Sequence, residues 1–254
     1  MAAPAPVAAP APVAGPAPVA GPAPVAPPSA GSSDVARARY LASLAGSWDA
    51  LAAPHPDAHV VRGRGFLALR HPRHPVLTNV ALLDAGAVGD ALTAVAPGPF
   101  AAWSSDAAGD AALAGAGLRP DVTAVPMLAR LDALPPAAGD VGARTVAPAV
   151  VARLNRVDPA LVAGVPGLRA WTTAGGEAGL VLQPVDDDVV VSFVATRPDA
   201  RRRGLATALL TAALHEARAD GATTATLQST PDGRRLYERL GFAAVGRWQE
   251  WVPA

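Results

Sequence analysis

The stretch of sequence that decides the fold is residues 194–207, VATRPDARRRGLAT. It follows the apolar run Val189 to Val194, which predicts a buried strand, and it leads into a helical pattern from about Arg203 to Arg218. The first turn of a helix leaves backbone N–H groups without intrahelical partners, and the helix dipole adds partial positive charge there. A basic turn between a strand and a helix therefore predicts an anion site that suits a pyrophosphate.

A second motif follows about thirty residues later, at residues 227–242, LQSTPDGRRLYERLGF. It predicts a strand end, a turn, a short helix and a glycine stop, and the run Ala222 to Leu227 predicts the strand itself. Upstream, Gly179 to Leu182 and Val189 to Val194 predict two strands joined by a hairpin turn at residues 186–188, Asp-Asp-Asp. The second half of the chain therefore reads as mixed α/β.

The two motifs together resemble those of the GNAT superfamily of acetyl-CoA-dependent N-acyltransferases. Arg201-x-x-Gly204-x-Ala206 looks like the pyrophosphate loop of that family, and residues 236–242, LYERLGF, look like its C-terminal signature. The order and separation of the motifs also fit. The resemblance implies an α/β (α+β) fold: a twisted, mixed, largely antiparallel sheet flanked by helices.

The resemblance also implies a cofactor and site residues. Acetyl-CoA would be the co-substrate, with its pantetheine arm along the backbone of the strand before the loop and its pyrophosphate on the loop amides. Tyr237 matches the tyrosine that often protonates the departing CoA thiolate. The cofactor-binding residues expected on this basis are Phe193, Val194, Thr196, Arg201, Arg202, Arg203, Gly204, Leu205, Ala206 and Thr207.

Some positions depart from the family pattern. Thr230 stands near the place where many members have Asn, and Ala206 stands where Gly is commoner. The general base stays open: Glu177, Asp188 and Glu216 are candidates by location, and a base acting through water is equally compatible.

The first half of the chain resembles the second half weakly. The segment 101–118, with Gly117, resembles 226–242, with Gly241, and then Leu113 falls where Tyr237 stands. Because no Arg-x-x-Gly-x-Gly turn occurs over residues 80–95, residues 34–135 are expected to form a smaller, degenerate GNAT-like domain. A linker at 134–142 separates it from the catalytic GNAT domain, residues 143–254.

The first 33 residues are low in complexity. They contain no charged residue and repeat the unit Pro-Ala-Pro-Val-Ala-Ala/Gly, so we expect a disordered, semi-extended tail. It serves either as a spacer or as a docking arm. Proline at every few positions argues against a secretory signal and against a membrane span, and the expected location is the cytoplasm.

Composition excludes several classes of function. The 21 basic and 21 acidic residues give a formal net charge of +0, so neither nucleic acid nor a membrane is an expected partner. The absence of Cys rules out a thiolate nucleophile, a Cys-ligated zinc and an iron–sulfur cluster.

Two further patterns suggest ligand sites but are interpreted otherwise. Arg62-Gly63-Arg64-Gly65 resembles a phosphate loop, yet the strand-like FLAL that follows offers no helix N-terminus, so we expect a turn. The pairs His55/His59 and His71/His74 have metal-like spacing, but neighbouring prolines and the absence of an acidic third ligand predict no metal site.

The sequence therefore predicts an acetyl-CoA-dependent N-acetyltransferase. The acceptor would be a primary amine of a small molecule or a protein N-terminus, which attacks the thioester directly. The alternative is a catalytically silent acyl-CoA-binding module with a regulatory or interaction role. The acceptor, the acyl-group preference and the oligomeric state stay open.

Overall fold

The computed structural model describes residues 30–136 and 139–254. Six helices lie in these ranges: α1 Ala30–Ala52, α2 Val88–Val95, α3 Ala107–Gly115, α4 Pro148–Leu154, α5 Leu205–Ala219 and α6 Arg234–Glu238. Twelve strands accompany them: β1 His59–Gly63, β2 Phe66–Arg70, β3 Asn79–Leu82, β4 Ala101–Ser104, β5 Leu118–Arg130, β6 Arg144–Val146, β7 Arg169–Thr172, β8 Ala178–Val185, β9 Asp188–Thr196, β10 Thr224–Ser229, β11 Ala243–Ala244 and β12 Trp248–Pro253. The predicted tail, residues 1–33, lies outside the described residues except for its last four, with which α1 begins.

One continuous sheet runs through the described part of the chain. Its order is β1-β2-β3-β4-β12-β5-β10-β9-β8-β7-β6, and β11 pairs with β5 beside this path. The pairs β3/β4 and β9/β10 are parallel, and the other described pairs are antiparallel. The predicted mixed, largely antiparallel sheet flanked by helices is therefore confirmed.

Each half of the sheet contains the same succession of elements. In the first half β3 is followed by α2, β4 and α3, and in the second half β9 is followed by α5, β10 and α6. The two strands of each unit pair in parallel, since a helix connects them. The weak internal resemblance in sequence thus corresponds to the same local topology.

The two halves exchange strands at the centre of the sheet. The first part of β5 pairs with β12, and its second part pairs with β10. In return, β12, the last strand of the chain, lies between β4 and β5 of the first half. The segments 34–135 and 143–254 therefore share one sheet.

The two faces of the sheet are covered by different helices. Along β10, Ala225 and Leu227 join the apolar core that includes α5, where Leu209, Leu210 and Leu214 are fully buried. Burying each such leucine contributes about 1.5–3 kcal/mol. Because side chains alternate along a strand, the residues between them face the opposite side, which α1 covers.

Several predicted boundaries shift for local reasons. The run Val76 to Val80 predicts a strand, but β3 begins only at Asn79, because Pro75–Leu77 form a 3-10 turn with the proline at its first position. The pattern from Val150 to Leu161 predicts a helix, but the structure divides this region into α4 and a 3-10 turn, Pro159–Val162. The hairpin turn before β9 is confirmed, with Val185 paired to Asp188.

Candidate active site

The parallel strands β9 and β10 separate at their carboxyl ends. Their pairing runs from Asp188 and Thr224 to Val191 and Leu227 and then stops. Beyond this point β9 continues to Thr196 and β10 to Ser229. On its side facing β10, the backbone of residues 192–196 has no strand partner in the described part of the chain, which leaves an open cleft between the two strands.

A bulge in β9 produces this separation. Between two paired positions, Gly179–Val181 of β8 is opposed by Ser192–Ala195 of β9, which holds one residue more. Phe193 lies in the bulge with φ +52°, a left-handed conformation that costs a non-glycine residue about 1–2 kcal/mol. Two contacts offset this cost: the ring packs against buried residues of α4, and the Asn155 amide donates to the Phe193 carbonyl at 2.8 Å.

The basic turn lies at the open end of the cleft. Arg202 and Gly204 are left-handed, with φ +62° and +76°, and α5 begins directly after them at Leu205. The helix starts two residues later than the sequence predicted, because the conformation of Gly204 is not helical. The first turn of α5, with Ala206 and Thr207, therefore directs its free amides towards this end of the cleft.

Positive charge surrounds the turn. The side chains of Arg201, Arg202 and Arg203 are exposed, and the Arg201 Nε donates to the Thr196 carbonyl at 3.3 Å. A Cβ built on Gly204 would meet nothing within 4 Å, so the space before the helix is open. Open space, free amides and guanidinium groups together form a site that can hold an anion.

Tyr237 lies on α6, which follows the end of β10 and so stands at the same end of the sheet. Its ring is half-buried against the core of the second half and meets the Phe242 ring edge-on at a centroid distance of 5.9 Å. Burial raises the pKa of Tyr237 to about 12. The phenol is therefore protonated at neutral pH and can donate a proton or a hydrogen bond.

The structure separates the three base candidates. Thr173 donates to the Glu177 carboxylate at 2.7 Å and, with Arg203 and Arg197 nearby, lowers its pKa, which makes Glu177 a weaker base. Asp188 lies at the start of β9, at the far end of the strand from the turn.

The hydrogen bonds of Asp188 and Glu216 have structural roles. Asp188 is buried, which raises its pKa, and it accepts hydrogen bonds from Thr224 and Thr226 at 2.5 and 2.7 Å. Glu216 accepts hydrogen bonds from Arg169 and from the Trp171 indole, and these contacts hold α5 to β7.

Comparison with known proteins agrees with this geometry. Residues 172–251 match the family model described as an acetyltransferase (GNAT) domain. They are a GNAT domain. The chain is accordingly an acyltransferase, and acyl-CoA-dependent acetyl transfer is the activity general to this family. No curated protein matches the chain in sequence.

Solved structures show the same fold over most of the chain. A GCN5-related N-acetyltransferase from Kribbella flavida is 19% identical, with a TM-score of 0.63 over 86% of this chain and 95% of its own. A Drosophila protein is 15% identical, with a TM-score of 0.60 over 90% and 97%. A GCN5-related N-acetyltransferase-like protein from Streptococcus suis is 13% identical, with a TM-score of 0.53 over 85% and 98%. The alternative of a catalytically silent module gains no support from these similarities.

Sequence reasoning missed a cavity to which the GNAT domain contributes Gln228 and Trp248. It has a volume of about 120 Å³ and is lined by residues of five elements, among them Trp48, Trp103, Trp248 and Gln228. Nothing in the sequence indicates that Trp48 and Trp103 meet. Glu250, in register with Trp103 across β12 and β4, is half-buried, and burial together with Asp121 raises its pKa.

The remaining ligand-like patterns lie outside the GNAT domain. Arg64 and Gly65 form the hairpin turn between β1 and β2, while Arg62 and Gly63 are the last residues of β1. His55, His71 and His74 come together with ring centroids 4.5 to 5.6 Å apart, whereas the sequence paired His55 with His59. Within the described residues, no group of three or more His, Cys, Asp or Glu side chains is arranged to hold a metal ion. The described helices include none that is long and apolar enough to cross a membrane.

Proposed function

We propose that this protein transfers an acetyl group from acetyl-CoA to a primary amine of a small molecule or of a protein N-terminus. The observation that carries the proposal is the cleft between β9 and β10, which ends at the basic turn before α5. The backbone of Phe193, Val194 and Thr196 has no strand partner on the side facing β10 and would run beside the pantetheine arm, although the Phe193 and Thr196 carbonyls already accept hydrogen bonds from Asn155 and Arg201. Acetyl-CoA has an extended pantetheine arm joined to a pyrophosphate. The open edge of β9 matches the arm, and the adjoining basic turn matches the pyrophosphate.

The pyrophosphate would lie at the turn. The amides of residues 202–207 and the N-terminal dipole of α5 favour a negative group there, and Arg201, Arg202 and Arg203 add charge from the side chains. Gly204 permits the left-handed conformation that precedes the helix and leaves the approach open.

The reaction follows from the groups at the cleft. The lone pair of a neutral amine attacks the thioester carbonyl carbon and forms a tetrahedral intermediate; the C–S bond then breaks, and the amine nitrogen gives up its proton to solvent. Tyr237 donates its proton to the departing CoA thiolate and regains one from water. A phenol whose pKa is about 12 stays protonated until the thiolate forms.

In this proposal the first half of the chain, residues 34–135, is GNAT-like without a cofactor site. All four residues of β3 pair with β4, so these strands do not separate. Asp84 caps the turn that leads to α2, whereas the corresponding turn before α5 in the second half carries arginines. Leu113 is fully buried and has no proton to donate.

Calorimetric titration with acetyl-CoA tests the proposal. We expect the Gly204→Glu variant to bind at least about 100-fold more weakly, equivalent to about 2.7 kcal/mol, because a carboxylate and a Cβ enter the pyrophosphate site. Gly221→Glu is the matched control, since Gly221 follows the other end of α5, also has a positive φ and also faces open space. Equal affinities of the two variants, or no binding to the unmodified protein, would contradict the proposed function.

A further inference from the structure

Tryptophan is the commonest residue in the lining of the cavity beside the cleft. Three of the five tryptophans of the chain line it: Trp48 from α1, Trp103 from β4 and Trp248 from β12. The amides of Asn79 and Gln228 complete its polar lining, and none of the lining residues is charged. A cavity without charged lining residues favours a neutral group over an ionised one, because an unpaired buried charge pays a large desolvation penalty.

The cavity lies next to the place where the cofactor cleft opens. Gln228 is the first residue of β10 after its pairing with β9 ends at Leu227. It is exposed, so this wall of the cavity meets solvent. A molecule in the cavity could therefore extend past Gln228 towards the thioester proposed to lie in the cleft.

Internal hydrogen bonds occupy most of the polar groups of the lining. Trp103 donates to the Asn79 oxygen at 2.9 Å, while Trp248 and the Gln228 amide nitrogen donate to the Tyr40 hydroxyl at 3.1 and 2.7 Å. The Gln228 oxygen accepts no hydrogen bond from the described residues. An acceptor is thus available at the mouth of the cavity, where an incoming amine could donate to it.

We propose that this cavity binds the side chain of the acceptor, and that the acceptor is a primary amine carrying one compact aromatic group and no carboxylate. This inference rests on the proposed function and names its substrate class. A volume of about 120 Å³ is close to that of an engineered cavity of about 150 Å³ that holds benzene, so it admits a single ring. Indole rings pack well against such a ring.

Kinetics with a panel of amines tests the substrate class. We expect kcat/KM for benzylamine, expressed per concentration of neutral amine, to exceed that for ethylamine by about 10- to 100-fold, as is common for filling an apolar pocket. Ala81, whose side chain also lines the cavity, gives the decisive variant: Ala81→Leu fills part of the volume and should reduce this preference to within about twofold. Ala108→Leu, on the exposed side of α3, is the matched control and should retain it.

A second variant changes a residue at the exposed mouth of the cavity instead of one in its packed wall. Gln228→Leu removes the free oxygen, and with it the hydrogen bond to Tyr40, at an exposed position; it should raise KM for benzylamine about tenfold without loss of folding. A preference for ethylamine or for a polyamine in the unmodified protein, or a benzylamine preference that survives Ala81→Leu, would overturn the inference.

Binding without turnover separates this inference from the proposed function. Benzylamine in the cavity should change the tryptophan fluorescence of the unmodified protein and of Ala108→Leu but not of Ala81→Leu. If this change occurs while no thiol is released from acetyl-CoA, the proposed function fails and the cavity assignment stands. If thiol is released with simple amines but benzylamine leaves the fluorescence unchanged, the cavity assignment fails and the proposed function stands.

Discussion

Gly117 and Gly241 adopt the same left-handed conformation, with φ +84° and +86°. Each follows the helix that comes after a parallel strand, α3 after β4 and α6 after β10. The strand of the first unit ends at Ser104 and that of the second at Ser229, and both serines are buried. The two halves therefore share the strand, helix and glycine of one repeated unit, although only the second has a turn of arginines.

Replacing either glycine by alanine should destabilise the protein. A Cβ at Gly117 or Gly241 would meet nothing within 4 Å, so the cost is conformational, about 1–2 kcal/mol for a left-handed alanine. Urea denaturation would measure the change in the free energy of unfolding.

Gly115→Ala provides the control in the same helix. Gly115 also faces open space, but it is the last residue of α3 and its φ is not positive. Alanine there should leave stability unchanged or raise it by up to about 1 kcal/mol. Similar losses at positions 115 and 117 would show that the left-handed conformation of Gly117 is not what requires glycine.

Trp251 tests the exchange of strands between the halves. It lies three residues from the end of the chain, yet it packs in the core of the first half and donates to Ser104 at 3.0 Å. Trp251→Ala should therefore lower the free energy of unfolding by about 3–5 kcal/mol. Trp251→Phe keeps most of the packing and should lose less, about 1–2 kcal/mol.

Hydrogen exchange would locate the effect of this substitution. Because β12 lies between β4 and β5, the loss of protection in Trp251→Ala should include the amides of both strands. Loss confined to residues 248–254 would contradict the strand exchange.

Local features of this fold were readable from the sequence, and features made by distant segments were not. The strands β8 and β9 and their Asp186–Asp187 turn follow from apolar patterns and turn residues within a few positions. The site turn was also predicted, although Gly204 delays α5 to Leu205. Nothing in the sequence marks the bulge, since Phe193 is not a residue that favours a positive φ.

The exchange of strands and the aromatic cavity depend on contacts across the whole chain. Trp48 and Trp248 are 200 positions apart, and each is explained locally by an apolar helix face or strand. Their meeting depends on β12 entering the first half of the sheet, and periodicity within one segment carries no information about that pairing.

His71 should make stability depend on pH. Its ring is fully buried, its Nδ1 accepts from the His74 amide at 3.3 Å, and its Nε2 has no described partner. Burial, and then the neighbouring His55 and His74, lower its pKa below 6.5, while Asp57 acts in the opposite direction. In the unfolded chain His71 therefore takes up a proton near pH 6.5, whereas in the folded protein it does so only at a lower pH. The free energy of unfolding should fall as pH drops below 6.5, by at most about 1.4 kcal/mol per pH unit.

His71→Asn isolates this effect, because asparagine can still accept from the His74 amide but does not titrate. Between pH 7.5 and 5.5 its free energy of unfolding should fall less than that of the unmodified protein. His59→Asn, at an exposed position, should keep the unmodified slope. Equal slopes for all three proteins would mean that His71 does not resist protonation.

Tyr237→Phe tests the proposed proton donor. Phenylalanine preserves the packing against Phe242 but removes the hydroxyl, so acetyl-CoA affinity should stay within about twofold while kcat falls by about 100-fold or more. Since the pKa of Tyr237 is about 12, the phenol stays protonated up to pH 10, and the unmodified enzyme should show no alkaline loss of kcat from this group below that pH. Stopped-time assays of released thiol between pH 6 and 10, with calorimetry for affinity, would measure both. A variant within twofold of the unmodified kcat would show that water protonates the thiolate and that Tyr237 serves only to pack α6 against the core.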